Sequence, residues 1–299
     1  MNYLLTGATG FLGKSILKEL ENTYDSICLS RTSGDYKIAL EKEIPNFKQK
    51  FNLIIHAAGK AHSIPRTAIE KKQFYDVNVL GTLNLLKGLE KAGVPEQFVF
   101  ISSVSVYGQQ SGIYINEDHP LEAKDPYGLS KIEAEHLVLK WCEQHRVVCT
   151  ILRLPLLVGK NPPGNLGAMV KAIDKGYYFN IGGGMAKKSM VLVGDVASFI
   201  PIIAVTGGIY NLTDGFHPSF EELSSTILIH RNRNKAYNLP LIIANLIGYV
   251  GDLLGDRAPL NSLKIKKITS DLTFDDSKVR QLFNWHPEAV VDYLKRSTI

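Results

Sequence analysis

Residues Thr6 to Gly13 read TGATGFLG. Three glycines punctuate this stretch, Gly7, Gly10 and Gly13, and the residues on either side give them meaning. NYLL before it has the character of a short buried strand. FLGKSILKELEN after it repeats apolar residues at helical spacing, with Phe11, Leu12, Ile16 and Leu20 on one face. A glycine turn between a first strand and a first helix is where a parallel sheet cradles a dinucleotide. Glycine permits the tight turn and lets backbone approach a pyrophosphate, and the helix N-terminus supplies N–H donors and a positive dipole end. The spacing is G-x-x-G-x-x-G and not the commoner G-x-G-x-x-G, so position in the chain carries the assignment. Gly7, Thr9, Gly10, Phe11, Leu12 and Gly13 are the expected cofactor-binding residues of this turn.

Outward from the turn, the first half alternates strand and helix. DSICLSR, FNLIIHAAG, EQFVFISSVSVYG and VVCTILRLP read as strands; NVLGTLNLLKGLEKAG and PYGLSKIEAEHLVLKWCEQH read as helices. That rhythm means βαβ units, so an α/β fold with a doubly wound parallel sheet is expected. Past Gly159 the alternation breaks into Gly-, Pro- and Asn-rich loops such as GKNPPGNLG and NIGGGMAKK. We therefore expect a dinucleotide-binding domain over 1–159. A smaller, mainly substrate-binding α/β region should follow over 160–299, with some of its segments returning to the sheet.

Composition narrows the function classes. With 299 residues, 45% of them hydrophobic and 21% charged, the chain can bury a substantial core and is neither disordered nor disulfide-stapled. The formal charge of +5 is mild. Its basic clusters, RNRNK (Arg231 to Lys235) and KIKK (Lys264 to Lys267), carry no interleaved aromatics, so no nucleic-acid partner is expected. A small anionic substrate or cofactor suits the charge. Cys28, Cys142 and Cys149 lack metal-ligand spacing; no metal is expected, and a reducing, cytoplasmic location is. The N-terminus has no basic n-region or cleavage site, so no secretory signal is expected. LPLIIANLIGYVGDLLG (Leu239 to Gly255) is interrupted by Asn245 and Asp252 and falls short of the about 20 apolar residues that a spanning helix needs. It is expected to be a core or interface helix and no integral span, with rest on a membrane surface as the alternative.

Three further features bear on chemistry. After the second strand the chain reads SRTSGD, so the position where an acid would hold a ribose 2′-hydroxyl has Ser30 and Arg31. A hydroxyl and a guanidinium suit a 2′-phosphate, which favours NADP(H) over NAD(H), although Arg31 could also stack on the adenine. Asp35, beyond a Thr-Ser-Gly turn, is the competing candidate for NAD. ISSVSVYG closes a strand with Ser102, Ser103 and Ser105, and period-2 alternation sets Ser103 and Ser105 opposite Ser102. In DPYGLSKIEAEH, Tyr127 precedes Lys131 by one helical turn, so both share a helix face. An ammonium beside a phenol lowers its pKa toward the range useful for acid/base work.

Together these motifs resemble the extended short-chain dehydrogenase/reductase family, whose members include NAD-dependent epimerases, dehydratases and reductases of nucleotide sugars. The resemblance covers nearly the whole chain. It rests on TGATGFLG, HAAG (His56 to Gly59), DVNVLGT (Asp76 to Thr82), ISSVSVYG, PYGLSK, LRLPLLVG (Leu152 to Gly159), KKSMVLVGDVA (Lys187 to Ala197) and DDSKVRQLFNW (Asp275 to Trp285), in the family's order. It implies a Rossmann sheet and a homodimer. It also implies that Tyr127 is the general acid/base, that Lys131 activates it and holds the nicotinamide ribose, and that Ser103 is the catalytic serine. Ala57, Ala58, Gly59, Ser102, Leu154 and Pro155 would line the cofactor, and Asn78 would support it. Ser105, Asn165 and Lys188 would reach the nucleotide sugar, Lys188 from a position where many relatives carry an arginine.

Two departures shape the expectation. Family dehydratases follow the catalytic residue with an Asp-Glu pair, whereas Ser103 is followed by Val104 and Ser105, which argues against 4,6-dehydration. The segment before FNLIIHAAG is short and lacks the Asp-aliphatic pair that usually contacts adenine. The preferred reading is a 4-ketoreductase of a UDP-4-keto-6-deoxy-HexNAc type sugar, of the kind used in surface polysaccharide biosynthesis. The alternatives are a nucleotide-sugar 4-epimerase and a non-catalytic dinucleotide sensor.

Overall fold

Seven parallel strands form the central sheet of the computed structural model, which describes residues 2–21, 23–61, 63, 65–254 and 260–297. The chain enters with β1 (Asn2–Thr6), turns through the glycine loop into α1 (Phe11–Leu20), and returns beside β1 as β2 (Asp25–Ser30). A short β3 (Tyr36–Lys37) completes that edge. β4 (Leu53–His56) lies on the other side of β1. Helix α2 (Ala68–Tyr75), a π-helical turn over Asp76–Leu80 and α3 (Gly81–Ala92) lead to β5 (Gln97–Ser103), beside β4. β6 (Gly112–Ile115) stands outside the sheet, and α4 (Pro126–His145) brings the chain to β7 (Val148–Leu154), beside β5. Strand order reverses at β1, so a crevice opens at the carboxyl ends of β1 and β4, where such sheets bind ligands.

The rest of the chain is β8 (Leu156–Val158), α5 (Gly164–Lys175), β9 (Phe179–Ile181), β10 (Met190–Leu192), α6 (Val193–Ala204), β11 (Gly208–Asn211), α7 (Phe220–His230), β12 (Tyr237–Leu239), α8 (Leu241–Leu254), α9 (Ser262–Thr269), β13 (Leu272–Phe274), α10 (Ser277–Leu282) and α11 (Val290–Arg296). β11 pairs with β7 as the outer strand of the sheet, and α6 packs on α1. In the other direction β6, from the first half, pairs with β13. β8 with β10 and β9 with β12 form two more parallel pairs beyond the sheet.

The apolar runs of the strands are explained by burial on both faces. Leu5, Ile55, Val99 and Leu152 point to one side, onto Ile16 of α1 and Ile200 of α6. Their neighbours Leu4, Ile54, Phe98 and Ile151 point to the other, onto Leu85 of α3 and Val138 of α4. Each such side chain, removed from water, contributes about 1.5–3 kcal/mol.

Three local readings change. Leu12, Ile16 and Leu20 are buried as their spacing predicts, but Phe11 is only partly so and borders the crevice. β5 ends at Ser103, and Val104–Tyr107 form a 3₁₀ turn that Ser103 caps by accepting from the Ser105 N–H at 3.2 Å. Strand alternation therefore does not govern Ser105; the turn places it. The largest change concerns Leu239–Gly255, of which Gly255 lies outside the described residues. Its helix, α8, is no core helix. Ala244, Gly248 and Gly251 are its buried residues, whereas Ile242, Leu246, Tyr249 and Leu253 are exposed. No helix among the described residues is long and apolar enough to cross a membrane.

Candidate active site

The glycine loop is as tight as its composition predicts. Gly7 has φ +74°, and a Cβ there would stand 2.7 Å from the Ala58 nitrogen. A Cβ on Gly13 would stand 2.1 Å from the Gly7 carbonyl oxygen. Gly10, at the N-cap of α1, brings no side chain to satisfy the first-turn N–H groups, which are left for a ligand. This concave backbone, closed to any side chain, fits a dinucleotide pyrophosphate.

A relay of hydrogen bonds fixes the loop against the next strand. The Ala58 N–H donates to Thr6 Oγ1 at 3.1 Å, and Thr6 Oγ1 lies 2.6 Å from His56 Nδ1. His56 Nε2 lies 2.9 Å from Thr82 Oγ1, which donates to the Asn78 carbonyl at 2.6 Å. Because the Thr82 proton is committed to that carbonyl, Nε2 must carry the imidazole proton and Nδ1 accept from Thr6. His56 is thus a neutral structural link. Burial holds its pKa down at about 3, and the Lys131 charge adds to the effect. Asn78 is buried beside it, bonding Lys60 through both backbone groups and Ser130 through its hydroxyl. It braces the loop at Gly59.

The Tyr127 and Lys131 side chains are delivered by the start of α4. Asp125 caps that helix by accepting from the Tyr127 and Gly128 N–H groups, and Pro126 takes the first position. Ser103 borders the same cleft as Tyr127 and lies near its phenol, and its hydroxyl lies 3.1 Å from that of Ser105. The electrostatics differ from the sequence-based expectation. Burial raises the Tyr127 pKa, the Asp125 carboxylate adds to this, and the Ser103 hydroxyl only partly opposes it. Lys131 does not supply the expected lowering, because its ammonium donates to the Ile101 carbonyl at 2.8 Å and rests over the Phe100 ring. Burial also lowers the Lys131 pKa to about 8, against the pull of Glu135.

One cleft of about 550 Å³ joins these parts. Gly7, Gly10, Phe11, Leu12 and Gly13 border it on one side. Ala57 and Gly59 form its floor with Ser102, and Ser103, Ser105, Tyr127, Lys131, Leu154 and Pro155 border the rest. The other expected residues lie outside its lining. Thr9 is exposed, and Ala58 and Asn78 hold the loop from behind. Ser30 donates to the Ser33 carbonyl at 2.6 Å, and Arg31 is exposed at the end of β2. Asp35 is turned away, accepting from the Cys28 N–H at 2.8 Å. Asn165 is exposed in the first turn of α5. Lys188 donates to the Lys267 and Ser270 carbonyls, and burial, with the Lys267 charge, lowers its pKa to about 8.

Residues 3–212 match the model of the NAD-dependent epimerase/dehydratase family. The chain belongs to that family. Its members among the similar proteins include the N-acetyl-α-D-glucosaminyl-diphospho-ditrans,octacis-undecaprenol 4-epimerase of Escherichia coli O157:H7, 29% identical over 302 residues, 93% of this chain and 88% of that one. The UDP-glucose 4-epimerase of Vibrio cholerae is 26% identical over 95% of this chain and 90% of its own. The structure of RMD from Pseudomonas aeruginosa complexed with NADPH superposes with a TM-score of 0.75 at 20% identity, covering 98% of this chain and 96% of that one. That last likeness is of fold.

Within this epimerase/dehydratase enzyme the sequence reading missed a buried layer under the cleft. Glu135, one turn beyond Lys131, accepts from Ser102 Oγ and pairs with Arg153 at 2.8 Å. Arg153 also donates to the Tyr107 hydroxyl, and Tyr107 donates to Asn211. Asn211 in turn reaches the Ile115 and Asp275 carbonyls. Helical spacing could have revealed the first member: Tyr127, Lys131 and Glu135 recur every four residues along one stripe. Lys60, Leu156, Leu157 and Pro163 also border the cleft, and no local sequence pattern marks them.

Proposed function

We propose that this family member transfers hydride at C4 of a nucleotide sugar, and that the reaction is reduction of a 4-keto sugar. The observation that carries the hydride-transfer reading is the convergence of Ser103, Tyr127 and Lys131 with the glycine cradle on one cleft. Gly7, Gly10 and Gly13 would hold the pyrophosphate, Lys131 the nicotinamide ribose, and Arg31 a 2′-phosphate. Bound NADPH supplies the hydride that ends on the sugar C4. Ser103 orients the 4-keto oxygen by hydrogen bonding, and Tyr127 gives it a proton, so C=O becomes H–C–OH and a phenolate is left to be reprotonated from solvent. Val104 and Ser105, where a dehydratase needs its acid pair, hold no carboxylate.

Reduction is favoured over epimerisation by Arg31. It stands exposed at the end of β2, and Asp35, the competing acid, is tied to Cys28. Arg31→Ala is expected to weaken NADPH binding by roughly 10–100-fold, the effect of one charged hydrogen bond, and to leave NADH binding unchanged. Fluorescence titration with both cofactors measures this; equal losses would remove the argument. Gly13→Val should abolish binding of either, because its side chain would enter the Gly7 carbonyl, whereas Gly194→Ala, with open space around its Cβ, should not.

A second reading, nucleotide-sugar 4-epimerisation with retained NAD, is supported by the full-length similarity to proteins named as 4-epimerases. Cofactor analysis of the purified protein and two assays separate the readings. Oxidation of added NADPH by a UDP-4-keto-6-deoxy-HexNAc supports reduction. Interconversion of UDP-GlcNAc and UDP-GalNAc without added cofactor supports epimerisation and refutes reduction.

A further inference from the structure

Helix α8 is turned inside out for a soluble protein. Its small residues, Ala244, Gly248 and Gly251, form the buried stripe. The Gly248 position faces α9 so closely that a Cβ there would stand 2.7 Å from Ile265 Cδ1. Ile242, Leu246, Tyr249, Val250 and Leu253 follow helical spacing on the outer stripe, each 57–88% exposed. The one charge in the helix, Asp252, accepts from the Ser262 N–H at 3.1 Å and so serves the turn into α9. A helix this apolar normally has both faces covered. Nothing in the described chain covers this one, and the contiguous patch exceeds the scattered apolar residues normal for a protein surface.

Exposed cations flank this helix along the chain. Lys266 and Lys267 lie on α9, against which α8 packs, and Lys235 and Tyr237 precede α8 through β12. Beyond α9 the next acid, Asp271, accepts from the Lys187 N–H. An apolar helix face with exposed lysines on the strand before it and on the helix packed against it matches the boundary of an anionic bilayer, where apolar side chains enter the acyl region and ammonium groups meet lipid phosphates. With 14 residues the helix is about 21 Å long, too short to span but suited to lie in the interface. A second copy of the chain would bring like charge to these lysines, where an anionic surface brings opposite charge.

We propose that α8, with the lysines beside it, docks this protein on the surface of membranes containing anionic phospholipids. The cleft would then lie close to the lipid. The Lys267 and Ser270 carbonyls at the end of α9 hold Lys188, β10 begins two residues later, and β10 pairs with β8, whose Leu156 and Leu157 border the cleft. This proposal rests on α8 and α9 and stands or falls independently of the hydride-transfer reading.

The test is flotation of the full chain with vesicles of phosphatidylethanolamine and phosphatidylglycerol, against vesicles of phosphatidylcholine alone. The wild type is expected to float with the anionic vesicles and to be released as salt is raised. Lys235→Glu/Lys266→Glu should weaken that association by about 10-fold or more, each lysine near the surface contributing about fivefold. Leu246→Glu/Leu253→Glu should abolish it. Both variants should keep the wild-type melting temperature, which separates loss of docking from loss of fold. Absence of flotation, or equal flotation with neutral vesicles, would overturn the proposal. So would a dimer, seen by light scattering, that Leu246→Glu/Leu253→Glu dissociates while the wild type ignores vesicles.

Discussion

Tyr127→Phe is expected to keep the cofactor and lose turnover by a factor on the order of 10²–10⁴, the contribution of a positioned general acid. The substitution removes one oxygen from a ring that Phe74 supports from the side, so packing of α4 should survive. What disappears is the proton for the sugar oxygen and the hydroxyl that lies near Ser103. The elevated Tyr127 pKa suits this direction of reaction, since the phenol stays protonated and available to donate at neutral pH. Lys131 adds a pH limit with a definite sign. Its ammonium is present below about pH 8 and lost above it. Turnover in the reductive direction should therefore fall as pH rises through about 8, and Lys131→Met should remove that limb along with most of the activity. A Tyr127→Phe enzyme with unchanged kcat would assign the proton transfer to another group.

Glu135→Ala is expected to cost about 3–5 kcal/mol of stability, because it leaves Arg153 charged and buried without its partner. Both side chains are almost wholly enclosed, at 1% and 4% exposure, and Arg153 donates to Glu135 through Nε and Nη2. A melting temperature lower by roughly 5–8 °C is the expected reading. By contrast, Lys72→Ala breaks an ion pair whose lysine is 72% exposed and should cost under about 1 kcal/mol. Replacing both partners, Glu135→Met with Arg153→Met, should recover much of the loss, since the desolvation cost of two charges goes with them. The activity of that double variant is informative. Ser102 would lose its acceptor, so a stable protein with reduced kcat would show that the buried pair positions the strand end at Ser103.

The fold was largely legible because its signals are local. Apolar strand runs, helical periodicity in FLGKSILKEL and the Asp125-Pro126 start of α4 each act within a few residues, and the structure has strands and helices where they indicate. The glycine loop was legible for the same reason, since steric exclusion at Gly7 and Gly13 leaves a mark in the sequence itself. Long-range arrangements were not. Arg153 meets Glu135 across 18 residues and Asn211 meets Tyr107 across 104, and no periodicity encodes those pairings. The electrostatics were misread in one respect: spacing brings Lys131 onto the Tyr127 face, but the Ile101 carbonyl decides where its ammonium goes. For α8 the core half of the expectation failed, because an apolar run reports that a surface avoids water without reporting what covers it.

The central claim is that hydride enters C4 of a keto-sugar while Tyr127 protonates its oxygen. Turnover of a UDP-4-keto-6-deoxy-HexNAc with NADPH deuterated at the transferred position, followed by NMR of the product, tests it most directly. The account predicts one deuterium at C4 for each NADPH oxidised, and a rate lowered in Tyr127→Phe by about 10²-fold or more. Product with no deuterium at C4, or a C4-inverted sugar formed with no NADPH consumed, would contradict it.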